Sequence, residues 1–324
     1  MATDTIALTS VDAPMKRYRQ TERELWDHYG LEPTERFIEL ESPGVRLRVL
    51  EIGSGEPVVF VHGTVGPGSW PVLVRKLSGF RCFVIDRPGW GLSSAIDFSK
   101  YEYKAAAADI LRGALDALSL DRAHVVGGSI GNVWALGLAA RHPSRVGRVV
   151  LMGGSPLVPE VQVPGIIRLL ASPIGALMVR LPDKPGRVRS ILRQSGHGAS
   201  LDDGRIPDAF VSSRVALGRE TSSMRNERDM VRTLVRGAAF RPGLTFEDPE
   251  LAAIHTPALY VYGTADPVGT VDIWQRVVGV LPRGELKLVD GAGHMPWFDG
   301  PSQVATDITR FLAERSEMPK AVSP

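Results

Sequence analysis

The chain has 324 residues, 44% of them hydrophobic and 23% charged, and its 38 basic and 36 acidic side chains leave a net charge of +2. Nucleic-acid binding usually requires a strongly basic face and a membrane span requires roughly 20 consecutive apolar residues, and the sequence has neither. A single cysteine, Cys82, excludes internal disulfides and cysteine-rich metal sites and favours a cytoplasmic location.

Residues 1–36 are expected to form a peripheral arm. An apolar stripe at helical spacing in the polar segment 15–29 predicts one helix, which Gly30 ends. Two segments, Phe37–Glu41 and Val45–Glu51, then alternate apolar and polar residues around a short turn. This alternation predicts an antiparallel hairpin.

Short apolar runs follow, and continuous apolar character is typical of strands that are buried on both faces of a parallel sheet. These runs are Val58–Val61, Cys82–Ile85, His124–Val126, Val149–Met152, Ala258–Tyr262 and Leu286–Val289. Segments with apolar residues at helical spacing alternate with them. These segments are Lys104–Leu118, Ile130–Arg141, Val271–Val280 and Val304–Ala313. The alternation predicts an α/β fold with a mostly parallel central sheet and flanking helices.

The alternation stops between residues 156 and 250. This stretch is rich in Arg, Pro and Gly and contains no convincing strand, but three of its pieces have helical spacing. They are Ile166–Leu170, Pro207–Leu217 and Met224–Val235. We therefore expect a core of residues 37–155 and 251–324, interrupted by a helical insertion over residues 156–250.

A candidate nucleophile, Ser129, lies between an apolar strand and a helix in Gly127-Gly-Ser-Ile-Gly131. At such a sharp turn the serine hydroxyl is held exposed in a strained backbone conformation. Small residues are needed two positions before and two after, where side chains would collide with neighbouring elements. The start of the helix also provides a free N–H and the positive end of a dipole.

A serine nucleophile needs a general base, and the base needs an orienting carboxylate. His294 follows the last predicted strand, and Asp266 follows the strand before it, so both lie at the carboxyl edge of the sheet. Asp290 and Asp86 are rival acids. The chain order Ser129, Asp266, His294 favours Asp266, because an α/β-hydrolase sheet requires that order. We interpret the Asp86 loop as structural.

An acyl-transfer site also needs two N–H donors for the oxyanion that forms during the reaction. Ile130, directly after Ser129, is expected to provide one of them. The second should come from the glycine-rich loop 62–68, with either Thr64 or Val65 as the donor. We interpret His62 as a residue that braces this loop. The chemistry requires no cofactor and no metal.

With these motifs in this order, the sequence resembles the serine-nucleophile branch of the α/β-hydrolase superfamily that carries a helical cap domain. The resemblance covers roughly residues 37–155 and 257–315, with the insertion at the place of the cap. It implies Ser129 as nucleophile, His294 as base and Asp266 as orienting acid. The loop 63–68 is also similar to those of carbon–carbon bond hydrolases that act on ring-cleavage products and of proline iminopeptidases.

The leading functional hypothesis is a serine hydrolase that cleaves a carboxylic ester, lactone or thioester of an apolar small molecule. The alternatives are carbon–carbon bond hydrolysis or a lyase or cyclase reaction with the same triad, and a ligand receptor on a hydrolase scaffold. Trp70, Trp90 and Trp297 lie near the predicted site loops, where they either wall the pocket or pack under the insertion. The sequence leaves a homo-oligomer open.

Overall fold

The computed structural model describes residues 13–314, and within that range a sheet of eight strands lies between two layers of helices. The described residues form ten strands, eight in this sheet and two in a separate pair. They are β1 (Thr34–Leu40), β2 (Val45–Gly53), β3 (Glu56–Val61), β4 (Phe80–Ile85), β5 (Ala123–Gly128), β6 (Val146–Met152), β7 (Val235–Arg236), β8 (Ala239–Phe240), β9 (Ala258–Gly263) and β10 (Gly284–Val289). The order across the sheet is β1-β2-β4-β3-β5-β6-β9-β10, and β7 and β8 form a separate pair. Strand β2 runs antiparallel to β1 and β4, and all other neighbours are parallel. The predicted fold class is confirmed.

Within residues 13–314, fourteen helices accompany this sheet. They are α1 (Ala13–His28), α2 (Pro71–Val74), α3 (Tyr103–Ala117), α4 (Gly131–Arg141), α5 (Gly165–Ala171), α6 (Pro173–Met178), α7 (Pro185–Gln194), α8 (Gly198–Asp202), α9 (Asp208–Glu220), α10 (Ser223–Leu234), α11 (Asp248–Ala252), α12 (Val271–Val280), α13 (Pro296–Asp299) and α14 (Pro301–Ala313). Successive side chains of a strand point to opposite faces. Val59 and Val61 of β3 therefore share a core with α3, α4 and α12, whereas Val58 and Phe60 share one with α2, α13 and α14.

The chain between β6 and β9, residues 153–257, is termed the insertion below. It carries helices α5 to α11, and three of these, α5, α9 and α10, correspond to the helical pieces that the sequence predicts. The expectation that no strand occurs here is wrong at one place, where β7 and β8 pair around Gly237. Strands of two residues are too short to leave an alternating pattern.

Helix α7 escapes prediction because only Val188 and Leu192 of its ten residues are buried. The other side chains are mostly basic or polar, which leaves a narrow apolar stripe. Its start does follow a rule, since Pro185 occupies the first helical turn, where a missing N–H costs nothing.

Helix α1 links the core to the insertion. Its Glu22 pairs with Arg48 of β2 at 2.5 Å, and both side chains are buried. The backbone N–H of Tyr18 donates to Glu220 at the end of α9 over 3.1 Å. Residues 1–12 of the predicted arm and residues 315–324 of the predicted core lie outside the described range.

The parallel strands bring the predicted site to one edge. Thr64, Ser129, Asp266 and His294 follow strands β3, β5, β9 and β10, respectively. Because the carboxyl ends of parallel strands share an edge, these residues converge there. Among residues 13–314, no helix combines the length and the apolar character that crossing a bilayer requires.

Candidate active site

Ser129 lies on a sharp turn between β5 and α4. Its φ of 54° is in the left-handed region, which non-glycine residues rarely adopt, and its N–H donates to Met152 O over 2.9 Å. The flanking glycines are required by space. A Cβ on Gly127 would lie 2.6 Å from Gly131 O, and a Cβ on Gly131 would lie 2.1 Å from Val61 O. This is the strained turn that the sequence predicts.

Asp266 and His294 form a hydrogen-bonded pair. His294 Nδ1 lies 3.0 Å from each carboxylate oxygen of Asp266, and backbone N–H groups of Gly154 and Val268 donate to those oxygens over 2.6 and 2.8 Å. An ionised carboxylate can only accept a hydrogen bond, so Nδ1 carries the proton and Nε2 is left as the basic nitrogen. Burial lowers the pKa of His294, but the charge and hydrogen bond of Asp266 outweigh burial and raise the pKa above its ordinary value.

The two rival acids lie elsewhere. Asp290 is exposed and accepts a hydrogen bond from Thr264 Oγ1 over 3.1 Å. Asp86 is fully buried and accepts from Arg48 over 3.3 Å and from the Leu92 N–H over 3.0 Å. Its partners are those of a structural loop, as the sequence predicts.

The oxyanion-hole candidates surround Ser129. A Cβ on Gly63 would lie 2.8 Å from Ser129 Cβ, so the loop after β3 touches the turn that carries Ser129. Thr64, Val65 and Ile130 line one cavity with Ser129, and within residues 13–314 no backbone or side-chain acceptor takes their N–H groups. Both loop candidates therefore keep a free donor beside Ser129.

His62 braces this loop as the sequence predicts. Its Nδ1 lies 2.7 Å from Gly63 O, and its Nε2 accepts the N–H of Arg87 over 3.1 Å. Burial, followed by the positive charge of Arg87, holds the pKa of His62 well below its ordinary value. The ring is therefore neutral, with its proton on Nδ1.

A cavity of ≈ 480 Å³ lies between this edge of the sheet and the insertion. Ser129 and His294 both line it, and its volume is within the ordinary range for small-molecule sites. Its wall on the insertion side is mainly apolar, with contributions from Ile167, Leu170, Ile191, Phe210, Val231 and Leu234. The site thus combines a polar reactive end with an apolar chamber.

A model of the alpha/beta hydrolase fold family matches residues 56–301. The chain belongs to this family. It is 28% identical over 292 residues, covering 86% of this chain and 95% of its relative, to 2-hydroxy-6-oxononadienedioate/2-hydroxy-6-oxononatrienedioate hydrolase 1 of Dechloromonas aromatica. It is 26% identical to 2-hydroxy-6-oxo-6-phenylhexa-2,4-dienoate hydrolase of Burkholderia cepacia, covering 81% and 90% of the two chains. Its fold is similar to that of naproxen esterase from Bacillus subtilis, with a TM-score of 0.72, 18% identity and 94% and 99% coverage.

Inside the cavity of this hydrolase, two arginines share one aspartate. Asp183 lies 3.6 Å from Arg187 Nη1 and 3.3 Å from Arg214 Nη1. The other carboxylate of the wall, Glu227, is paired at 3.1 Å with Arg87, which lies behind the wall. The cluster therefore holds three guanidinium groups and two carboxylates, an excess of one positive charge. Burial lowers the pKa of Arg214, yet guanidinium groups stay charged at neutral pH.

The sequence contains a signal for Arg214 that the prediction did not use. Val211, Val215 and Gly218 occupy the inward stripe of α9, and Arg214 falls on the same stripe at helical spacing. A charged residue in an apolar stripe indicates a buried partner or a ligand.

A second His–Asp pair holds the loop that carries His294. Asp299 accepts a hydrogen bond from His197 Nδ1 over 2.8 Å and from the Gly293 N–H over 2.8 Å. The Met295 N–H donates to His197 Nε2 over 3.0 Å, so Nδ1 is the nitrogen that donates to Asp299. Gly293 and Met295 flank His294, whose own N–H donates to Ser195 O of the insertion over 2.9 Å. No sequence motif predicts this pair, which is termed the His197–Asp299 latch below.

The three tryptophans pack behind the cavity. Trp70 and Trp297 stack with ring centroids 4.8 Å apart beneath Gly128, and Trp297 donates to Ser69 O over 2.8 Å. Trp90 donates to Glu227 over 2.7 Å. Among the described residues, the cavity wall does not include them. Of the two predicted placements, the structure has the packed one, because all three rings are buried in the cores.

Proposed function

We propose that this hydrolase cleaves a carbon–carbon bond beside a ketone in an anionic 2-hydroxy-6-oxo-dienoate, using Ser129, His294 and Asp266. The observation that carries the proposal is the excess positive charge of Arg187 and Arg214 in the chamber that holds Ser129. The names of the two curated relatives support the reaction class, since both hydrolyse dienoates of this kind. The leading expectation from the sequence, an ester, lactone or thioester, becomes the competing hypothesis.

Cleavage of such a bond needs an electron sink, and the substrate contains one. When the enol at C2 becomes a ketone and C5 takes the proton, C2=O is conjugated through C3=C4 to the C5 position. Ser129 Oγ then attacks C6 while His294 Nε2 accepts its proton. The C5–C6 bond breaks, its electron pair moves onto O2, and the dienolate recovers a proton from His294.

The remaining acyl group is bound to Ser129 as an ester. Water attacks its carbonyl while His294 again accepts a proton, which it then gives to Ser129 Oγ as the bond between that oxygen and the acyl carbon breaks and the carboxylic acid leaves. Substrate and one water are thereby converted into a 2-hydroxydienoate and an acid. The N–H of Ile130 and that of Thr64 or Val65 stabilise the oxyanion in both halves of the reaction.

Arg214 and Arg187 would hold the dienoate carboxylate. A guanidinium that shares its aspartate with a second arginine keeps donors for a ligand anion, and burial strengthens such a contact. The apolar residues of α5 and α10 would enclose the substituent on C6. Both binding roles fall to residues 156–250, which we propose to be a cap over a core of residues 37–155 and 251–324. Residues 1–36 form the proposed arm.

Turnover of two substrates tests the proposal. The purified protein should remove the conjugated chromophore of 2-hydroxy-6-oxo-6-phenylhexa-2,4-dienoate faster than it hydrolyses a nitrophenyl ester. Ser129→Ala should lower both rates by about 10⁴-fold or more, with unchanged thermal unfolding. Rapid ester turnover without loss of the dienoate chromophore would overturn the carbon–carbon proposal in favour of an esterase. Binding of the dienoate without any turnover would favour a receptor.

A further inference from the structure

Helix α6 and the turn after it expose three large apolar side chains. Ile174 is 63% exposed, Leu177 61% and Leu181 57%. Ile174 and Leu177, three residues apart, share one face of α6. Leu181 follows in a turn that is held by hydrogen bonds from Arg180 N to Leu177 O and from Leu181 N to Met178 O. Single exposed apolar residues are ordinary, but several on one face mark an interaction site. These three residues are termed the α6 patch.

A basic groove of ≈ 580 Å³ adjoins the α6 patch, and Leu181 belongs to both. No acidic residue lines it among the described residues, and its four cations are Arg180, Lys184, Arg219 and Arg225. All four are exposed. Arg219 donates to the backbone oxygen of Asp183 over 2.6 Å, whereas the Asp183 carboxylate faces the arginines of the catalytic cavity. The groove therefore keeps its four positive charges without a neutralising carboxylate in its wall.

We propose that the α6 patch and the basic groove together dock this hydrolase on a membrane surface that contains anionic phospholipids. Apolar side chains beside a cluster of cations have the composition of interfacial membrane-binding elements. The patch would enter the boundary between headgroups and acyl chains, while the groove binds lipid phosphates. A second copy of the chain fits poorly, because a symmetric contact would set one positive groove against another.

Docking in this orientation would bring the catalytic cavity towards the bilayer. Ile166 is 43% exposed and also lines the cavity, and Met178, next to Leu177, lines it as well. Helices α5 and α6 are thus a thin layer between the apolar chamber and the proposed membrane face. This inference does not depend on which bond Ser129 attacks.

Vesicle sedimentation with the full chain tests the charge requirement. The wild type should bind vesicles of phosphatidylcholine and phosphatidylglycerol, and it should bind pure phosphatidylcholine vesicles at least about tenfold more weakly. The double variant Arg180→Gln/Lys184→Gln should reduce partitioning roughly tenfold or more. The matched control Lys76→Gln/Arg122→Gln removes two exposed cations of the core and should change it little. Equal losses in both double variants would overturn the proposal, because binding would then follow net charge alone.

The apolar requirement is tested with Ile174→Ser/Leu177→Ser, against Tyr101→Ser as an exposed control outside the insertion. The patch variant should partition roughly tenfold more weakly and keep its thermal unfolding and its turnover of a water-soluble substrate. Vesicle binding that inorganic phosphate abolishes and the patch variant leaves intact would overturn the proposal in favour of a free phosphate ligand. A dimer in sedimentation velocity that the patch variant dissolves would overturn it in favour of a second copy.

Discussion

The two sides of the catalytic cavity hold their polar groups by different means. On the core side, backbone groups fix the carboxylate: Asp266 accepts from two N–H groups and from His294. On the insertion side, Arg187 and Arg214 are held mainly by one side chain, that of Asp183. The two backbone donors, Gly154 and Val268, lie in loops shortly after β6 and β9, so their positions follow from the ends of those strands, whereas side-chain pairs can open for a ligand. We infer that the core side performs the chemistry and the insertion side selects the substrate.

Asp266→Asn should have the largest effect on kcat, because Asp266 lies on the core side of the cavity, where we place the chemistry. The amide oxygen of an asparagine can still accept a hydrogen bond from Nδ1–H, but asparagine lacks the charge that stabilises the protonated ring, and its NH₂ group can impose the wrong tautomer. We expect kcat to fall by roughly 10³- to 10⁴-fold with little change in KM. Steady-state kinetics would show this.

The rival acid provides the matched control for that variant. Asp290→Asn lies on the same edge of the sheet, is exposed, and should leave kcat within about twofold. A large loss in Asp290→Asn together with a small one in Asp266→Asn would show that the acid has been assigned to the wrong residue.

Arg214→Gln should act on the selection side. Loss of the largely buried guanidinium should lower kcat/KM for a dienoate by roughly 10- to 100-fold, the usual cost of a charge-assisted hydrogen bond. A neutral ester of similar shape should lose little. The ratio of the two kcat/KM values is the measurement, because it cancels losses in folded protein.

Arg189→Gln is the control for this charge change, since Arg189 lies on α7 and pairs with exposed Asp208 at 2.8 Å. It should leave the ratio unchanged. If Arg214→Gln lowers both kcat/KM values equally, the residue supports the structure of the insertion, and substrate selection lies elsewhere.

The contrast between the core side and the insertion side also explains which site residues the sequence could predict. Ser129, Asp266 and His294 each follow a strand at one edge, so strand order and glycine-rich turns suffice to bring them together. The insertion has no such rule. Asp183 precedes α7 and Arg214 lies in the middle of α9, and their contact depends on how two helices pack, which no local pattern determines. The tryptophans show the same limit, because proximity in sequence to a site loop did not reveal which side of the loop they occupy.

The His197–Asp299 latch connects the two sides, because His197 lies in the insertion and Asp299 in the core. A change on the insertion side at His197 should therefore disturb the chemistry on the core side. The His197 ring bridges Asp299 and Met295 with one hydrogen bond at each nitrogen. His197→Gln keeps a polar side chain but should lose one of these two hydrogen bonds. We expect kcat to fall roughly tenfold with little change in KM, because a misplaced His294 loses alignment with Ser129. His255→Gln, an exposed histidine of the insertion, is the control.

If the latch has a purely structural role, His197→Gln should lower the amount of folded protein and leave the pH profile of kcat/KM unchanged. A positioning role should move the apparent pKa of kcat/KM, since the His294 ring would sit differently against Asp266. An unchanged profile with a lower melting temperature would count against positioning.

The smallest expected effect concerns the pH dependence of the wild type. Asp266 raises the pKa of His294 above the ordinary imidazole value, despite burial, by stabilising the charged ring. A protonated ring cannot accept the proton of Ser129, so activity is lost as pH falls through this raised pKa. The acid limb of kcat/KM should therefore lie above pH ~6.5, the ordinary histidine value. In Asp266→Asn the limb should shift to lower pH, and a limb that stays in place would mean that another group controls the base.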